Sequence, residues 1–203
     1  RNFKKIKTNP KIIVKNACDI EINKCKKPIG MQDQYATSFG GLNKIEFGGK
    51  TEFFVSPMTI LEEKKQFLQD NLLFFFTGFS RTASDFAAEQ IKMTPQKINE
   101  LNEMKELAYE ACSVLTGNGH VMNDFGKLLH ESWMIKKELT NIISNGEIDD
   151  IYETALRAGA VGGKLCGAGG GGFIIFYVPP ERQEIVKEKL KNLLHVPIRF
   201  EDL

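Results

Sequence analysis

Eight glycines fall within fourteen positions, Gly159, Gly162, Gly163, Gly167, Gly169, Gly170, Gly171 and Gly172, and a strand-like run, Phe173 to Val178, follows at once. Glycine costs chain entropy on folding, so a cluster of glycines is kept where the backbone must take positive φ or lie close against another group. A phosphate is one such group, and an element packed over a tight β-turn is another; the spacing leaves both open. Two phosphate motifs are excluded. Gly167, Gly169 and Gly172 satisfy G-x-G-x-x-G, but a dinucleotide fingerprint lies between a strand and the helix it opens, whereas here a strand follows. Counting back from Gly163-Lys164 puts Ala158 where a phosphate loop needs Gly, and Leu165 stands where Ser or Thr would bind magnesium.

The remainder of the chain is ordinary in composition. Its 203 residues are 42% hydrophobic and 26% charged, which excludes a disordered, collagenous or disulfide-scaffold protein. Folding a chain of this size buries roughly 70% of the unfolded surface, enough for a core. Twenty-seven Lys and Arg against 26 Asp and Glu leave a formal charge of +1. No global field therefore points to nucleic acid or a membrane, and any anion binding is local. Cys18, Cys25, Cys112 and Cys166 form no C-x-x-C pair and no zinc spacing with His, so reduced thiols in a cytoplasm are the simple reading. The apolar runs are far shorter than the roughly 20 residues of a membrane span. The chain opens at Arg1 on a basic segment without the apolar centre of a secretory signal, and it reads as a chain whose beginning is missing.

Periodicity predicts a helix from Lys11 to Lys26 that ends at Pro28, a turn at Gly30, and a hairpin of Lys44 to Phe47 with Thr51 to Val55. After Pro57 the texture changes to Lys- and Glu-rich sequence and then to Leu72-Leu73-Phe74-Phe75-Phe76, a buried strand. This change is taken as the domain boundary, with residues 1–56 before it and 57–203 after it. Helices are predicted over Ala83 to Lys92, from about Pro95 to the Gly117-Asn118-Gly119 stop, from Val121 to Ser144 and from Ile148 to Ala158. The strand Phe173 to Val178, a helix Glu181 to Leu194 and a strand Val196 to Phe200 complete the chain. From Leu72 the order is β, a block of helices, β, β, α, β, which is a ferredoxin-like split βαβ pattern with helices inserted in its first crossover. The fold class is α+β.

Beyond the glycines, few residues are positioned for chemistry. Asp33 follows a glycine turn between Gln32 and Gln34, with Tyr35 next; a carboxylate there could take a proton from an alcohol or simply cap a turn. Arg81, in a loop after the buried strand, is either a fork for phosphate or carboxylate or half of a surface ion pair. His130 lies beside Glu131, but no Ser or Cys sits at a nucleophile turn, so no triad is argued.

The three segments Pro28-Ile29-Gly30-Met31-Gln32-Asp33-Gln34-Tyr35-Ala36, Phe76-Thr77-Gly78-Phe79-Ser80-Arg81-Thr82-Ala83-Ser84 and Gly162-Gly163-Lys164-Leu165-Cys166-Gly167-Ala168-Gly169-Gly170-Gly171-Gly172-Phe173 together resemble the GHMP kinase superfamily. Within it they look most like its heptose 7-phosphate kinases. The resemblance runs through His130-Glu131-Ser132-Trp133 and Ala158-Gly159-Ala160 and covers nearly the whole chain from about Lys15. It implies ATP-dependent transfer of the γ-phosphoryl group to a sugar hydroxyl, the anomeric one of D-glycero-D-manno-heptose 7-phosphate.

By the same resemblance Asp33 is the catalytic aspartate, and Glu21 falls where related sugar kinases ligate Mg2+. Gly167 to Gly172 form the glycine-rich turn that lies against the family's phosphate-binding loop, and Gly167, Ala168, Gly169, Gly170 and Gly171 are assigned to the ATP site. Gln32, Tyr35, Arg81 and Lys164 are assigned to the substrate, with Arg81 or Lys164 on its 7-phosphate. The family's nucleotide loop, a Ser-rich segment ahead of the aspartate, has no counterpart before Asp33. The chain is either the C-terminal part of a longer enzyme, inactive alone, or a protein that lost its nucleotide loop, and the first is the expectation. The resemblance further implies the end of a ribosomal-protein-S5-like N-terminal domain followed by a ferredoxin-like C-terminal domain.

Overall fold

A computed structural model describes residues 9–48, 52–78, 83–117 and 122–200, and its backbone divides into two compact units, the first ending at Thr59 and the second spanning Ile60–Phe200. Among the described residues no helix is long and apolar enough to cross a membrane.

The first unit begins with helix α1, Pro10–Cys18. Asn9 caps it by accepting the Lys11 amide at 2.9 Å, and Pro10 occupies the first turn, where its missing N–H costs nothing. The sequence predicts one uninterrupted α-helix to Lys26. Instead the backbone widens after Cys18 into a π-helical turn, Asp19–Lys24, in which Asp19 accepts from the side chains of Asn23 and Lys24. Helix α2, Gln32–Phe39, follows, and strands β1 (Asn43–Gly48) and β2 (Glu52–Pro57) pair antiparallel as the expected hairpin. Tyr35 holds this unit together. Its ring is buried and meets Phe53 edge-on at 4.5 Å and Phe47 at 5.2 Å, so the aromatic side chains of the hairpin cover α2.

The second unit starts with helix α3, Glu62–Asp70, and strand β3, Leu72–Phe76. Helices α4 (Ala83–Met93), α5 (Ile98–Thr116), α6 (Met122–Glu138) and α7 (Gly146–Ala158) come before strand β4, Gly162–Leu165. The glycine-rich turn joins β4 to β5, Phe173–Tyr177; helix α8 (Pro180–Lys189) then leads to the short β6, Leu194–His195. The sheet order is β4-β5-β3-β6, antiparallel throughout. That is the split βαβ order of a ferredoxin-like domain, with four helices in the first crossover.

One face of the sheet supplies Leu73, Phe75, Leu165, Ile174 and Phe176 to a core closed by Trp133, Ile148, Tyr152, Ala155 and Val186. Alternation along β4 turns Gly162 and Lys164 the other way. A methyl group on Gly162 would lie within 2.0 Å of the Gly126 carbonyl oxygen on α6, so the bare Cα is what lets helix and strand touch.

Three predicted boundaries are corrected. The helix expected to reach Ser144 stops at Glu138, and beyond it Ile143 is withdrawn from solvent with its carbonyl accepting the Gly170 amide at 2.9 Å. Asn145 opens α7 by accepting the Ile148 amide. The helix expected to Leu194 ends at Lys189, and the last strand is Leu194–His195 rather than Val196–Phe200, with only the Val196 amide still bonding β3, at the Phe74 carbonyl.

Replacing Gly162 with Ala should force α6 off β4 and destabilise the protein by about 1–3 kcal/mol. Gly146→Ala, where a methyl group meets nothing within 4 Å, should be near neutral. Thermal unfolding followed by circular dichroism checks this, and equal midpoints for the two variants would contradict the close-approach account.

Candidate active site

The glycine turn is fixed from four directions. Gly170 donates to the Ile143 carbonyl, and the Gly172 amide donates to Thr77 Oγ1 at 3.0 Å. In return the Thr77 amide donates to the Gly172 carbonyl at 2.8 Å. The Gln90 side-chain amide on α4 donates to the Ala168 carbonyl, and Lys136 Nζ on α6 donates to the Gly167 carbonyl at 2.6 Å. Phe86, one turn before Gln90, lays its ring against Gly170, where a methyl group would come within 2.1 Å of the ring and φ is +73°. Only glycine fits there.

This bonding consumes carbonyls more than amides. Among the described residues, the N–H groups of Gly167, Ala168, Gly169 and Gly171 donate to nothing within the chain. Gly167 and the four residues Gly169 to Gly172 all take positive φ, and backbone amides left free in a turn can donate to an anion. The packed reading of the glycines is seen at Gly170, and the turn also keeps amides without an internal partner.

Two lysines stand beside the turn. Lys136 is buried, and loss of hydration together with the charge of Lys164 lowers its pKa to about 8. Lys164, on β4, is also lowered, first by burial. Cys166 lies with them: burial raises its thiol pKa, and the two ammonium groups partly offset the rise. The sequence singled out Lys164 but not Lys136. Lys136-Lys137 reads as an ordinary solvated pair, and only the fold separates them: Lys137 pairs with Asp149 at 3.1 Å, while Lys136 turns to Gly167.

The other sequence candidates lie in the first unit or outside the described residues. Gln32 and Asp33 open α2 and are exposed, with Asp33 in the first turn, where the helix dipole favours a carboxylate. Thr37 Oγ1 donates to the Asp33 carbonyl at 2.7 Å and leaves the carboxylate uninvolved. Tyr35 is in the aromatic core described above, and burial raises the pKa of its phenol. Glu21 lies in the π-helical turn, half-buried, and its charge is felt by Cys18, whose thiol is raised by burial and then by Glu21. Turns of this kind recur at functional sites. Arg81 lies outside the described residues.

Among the described residues no group of three His, Cys, Asp or Glu could hold a metal ion. A single hard carboxylate such as Glu21 fits Mg2+, which takes one or two protein carboxylates and completes its shell with water and substrate phosphates.

Residues 104–196 match the family model described as GHMP kinases C terminal. The chain is 34% identical over 180 residues to the D-glycero-alpha-D-manno-heptose 7-phosphate kinase of Campylobacter jejuni, covering 84% of this chain and 50% of that protein. It is 27% identical over 172 residues to an L-fucokinase/L-fucose-1-P guanylyltransferase of Bacteroides fragilis, covering 78% of this chain and 17% of that one. The crystal structure of a D-glycero-D-manno-heptose 1-phosphate kinase from Bacteroides thetaiotaomicron superposes with a TM-score of 0.62 at 26% identity, covering 96% of this chain and 54% of the other. The chain thus spans about half the length of the heptose-phosphate kinases it matches. The split βαβ sheet carries its glycine turn between β4 and β5, inside the matched segment, and on these grounds the chain belongs to the GHMP kinase superfamily.

Proposed function

We propose that this chain forms part of an ATP-dependent sugar-phosphate kinase that phosphorylates the anomeric hydroxyl of D-glycero-D-manno-heptose 7-phosphate, giving the 1,7-bisphosphate. The observation that carries the reading is the glycine turn, whose free amides suit a phosphate, in a chain one-third identical to a heptose 7-phosphate kinase over most of its length.

In this mechanism the amides of Gly167, Ala168, Gly169 and Gly171 bind phosphate oxygens of ATP. Their donors are fixed before the ligand arrives, so little reorganisation is needed as charge moves toward the leaving oxygen. Asp33 accepts the proton of the sugar hydroxyl, or orients that hydroxyl in line with the γ-phosphorus. The acceptor oxygen forms its bond to phosphorus as the bond to the β-phosphate oxygen breaks, and ADP leaves. Gln32 hydrogen-bonds the sugar, the Tyr35 ring supports the helix that presents Asp33, and its phenol completes the sugar contacts. Arg81 supplies a cation for the 7-phosphate, and Lys164 is the other candidate for that role. Glu21 would hold Mg2+, which neutralises charge on the transferring phosphates. Localisation in the cytoplasm follows from the need for ATP and a sugar phosphate.

A second reading keeps the chemistry and changes the acceptor. The bifunctional fucokinase of Bacteroides fragilis matches 78% of the chain, so another sugar, such as fucose, galactose or a uronic acid, is the rival substrate. A panel of these sugars beside heptose 7-phosphate, in an ADP-release assay with an enzyme that contains this chain and a nucleotide loop, decides between them. Turnover of heptose 7-phosphate should exceed that of every unphosphorylated sugar, and a preference for free fucose would overturn the assignment.

In the same enzyme Asp33→Asn should lower kcat about 100-fold or more while the Kd for ATP changes little; an unchanged kcat would remove Asp33 from the mechanism. Arg81→Ala should raise KM for heptose 7-phosphate far more than KM for unphosphorylated heptose. Equal effects on the two would dismiss its role at the phosphate.

A further inference from the structure

Lysines in the second unit are generally neutralised by a nearby acid. Lys97 pairs with Glu100 at 2.6 Å, Lys127 with Asp124 at 2.8 Å, Lys137 with Asp149, and Lys187 with Glu184 at 2.8 Å. Lys136 and Lys164 depart from this pattern. They are among the least hydrated lysines of the unit, and among the described residues neither has a carboxylate partner. Lys164 is the neighbouring charge that acts on Lys136, and the Cys166 thiol lies beside both.

Burying an ammonium without a counter-charge costs several kcal/mol, and placing a second beside it adds repulsion. The fold nonetheless holds both. Lys136 donates one N–H to the Gly167 carbonyl, which fixes the ammonium at the start of the glycine turn and leaves two N–H donors. Lys164 makes no hydrogen bond within the described residues and points to the face of β4 on which α6 packs, as Gly162 does. Next to them are the free amides of Gly167 and Ala168. The cluster therefore contains two positive charges and a set of unused donors with no acceptor of opposite charge.

We infer that Lys136 and Lys164 form a paired-ammonium site for a phosphate dianion carried by one of the two reactants. A phosphate monoester carries close to two negative charges at neutral pH and three acceptor oxygens, which match two ammonium groups and the turn amides. The inference deepens the kinase reading and rests on it for the carrier of the phosphate; the site itself is tested without turnover. It adds Lys136 as a binding residue, since Lys164 was assigned to the substrate from the sequence.

The test is titration of the 203-residue chain with inorganic phosphate, followed by calorimetry and by the NMR resonances of the lysine ε-methylene groups. Saturable binding should shift the Lys136 and Lys164 resonances together. Lys136→Met and Lys164→Met should each weaken binding roughly tenfold, as loss of one charge-assisted hydrogen bond does. Lys127→Met, an exposed and ion-paired lysine, should leave it unchanged. Absence of saturation, or shifts confined to other lysines, would overturn the inference, and neither wild-type measurement depends on a variant folding. An equal loss in the Lys127 variant would also overturn it. Heptose 7-phosphate and Mg·ADP are then added as competitors: displacement of inorganic phosphate by one of them identifies the carrier, and displacement by neither contradicts the assignment. If competition succeeds but the enzyme with a nucleotide loop shows no turnover, the kinase reading fails and the phosphate site stands.

Discussion

The hydrogen bond from the Gly170 amide to the Ile143 carbonyl organises the second unit around the glycine turn. The chain leaves α6 at Glu138 and buries Ile143, and α7 starts afresh from the Asn145 cap. The turn presses against Phe86 closely enough to exclude a side chain at Gly170. The bond thus joins the segment between α6 and α7 to the glycine turn. Phe86 and Gln90, one turn apart on α4, face the turn together, so the helix inserted into the first crossover is positioned by the element it supports.

The electrostatics follow from the same arrangement. The chain has a formal charge of only +1, and nothing in that figure marks an anion site. Local geometry makes the turn's carbonyls and amides unequal, which is what the proposed phosphate site rests on. The carbonyls of Gly167, Ala168 and Gly172 are taken by Lys136, Gln90 and Thr77, whereas four amides are left open. Partial positive charge accumulates on one side, and two ammonium groups stand next to it. An anion bound there meets donors already oriented, which is the condition under which hydrogen bonds in a poorly hydrated site act most strongly on a transferring phosphoryl group.

Much of this was legible in the sequence, for physical reasons that differ from one element to the next. Leu72 to Phe76 is short, apolar and aromatic, which identifies a buried strand, and the alternation around Gly48 identifies the hairpin of the first unit. The glycine turn was visible because glycine is the residue whose backbone freedom is expensive to keep without cause. Other features were hidden because tertiary contacts decide them. The helix predicted to Ser144 stops at Glu138, and the segment after it offers the Ile143 carbonyl to Gly170. Lys136 and Lys137 are indistinguishable as letters and separate only when one reaches Gly167 and the other Asp149. The π-helical turn that carries Glu21 has no composition signature, and a strand as short as Leu194–His195 shows no period.

The central claim is that the open amides of the glycine turn meet phosphate. Amide chemical shifts of the isotope-labelled chain, recorded with increasing Mg·AMP-PNP, test it residue by residue. The account predicts the largest downfield changes at Gly167, Ala168, Gly169 and Gly171, and much smaller ones at Gly170 and Gly172, whose N–H groups already serve Ile143 and Thr77. A saturating titration that moves none of those four, or moves Gly170 and Gly172 most, would contradict it.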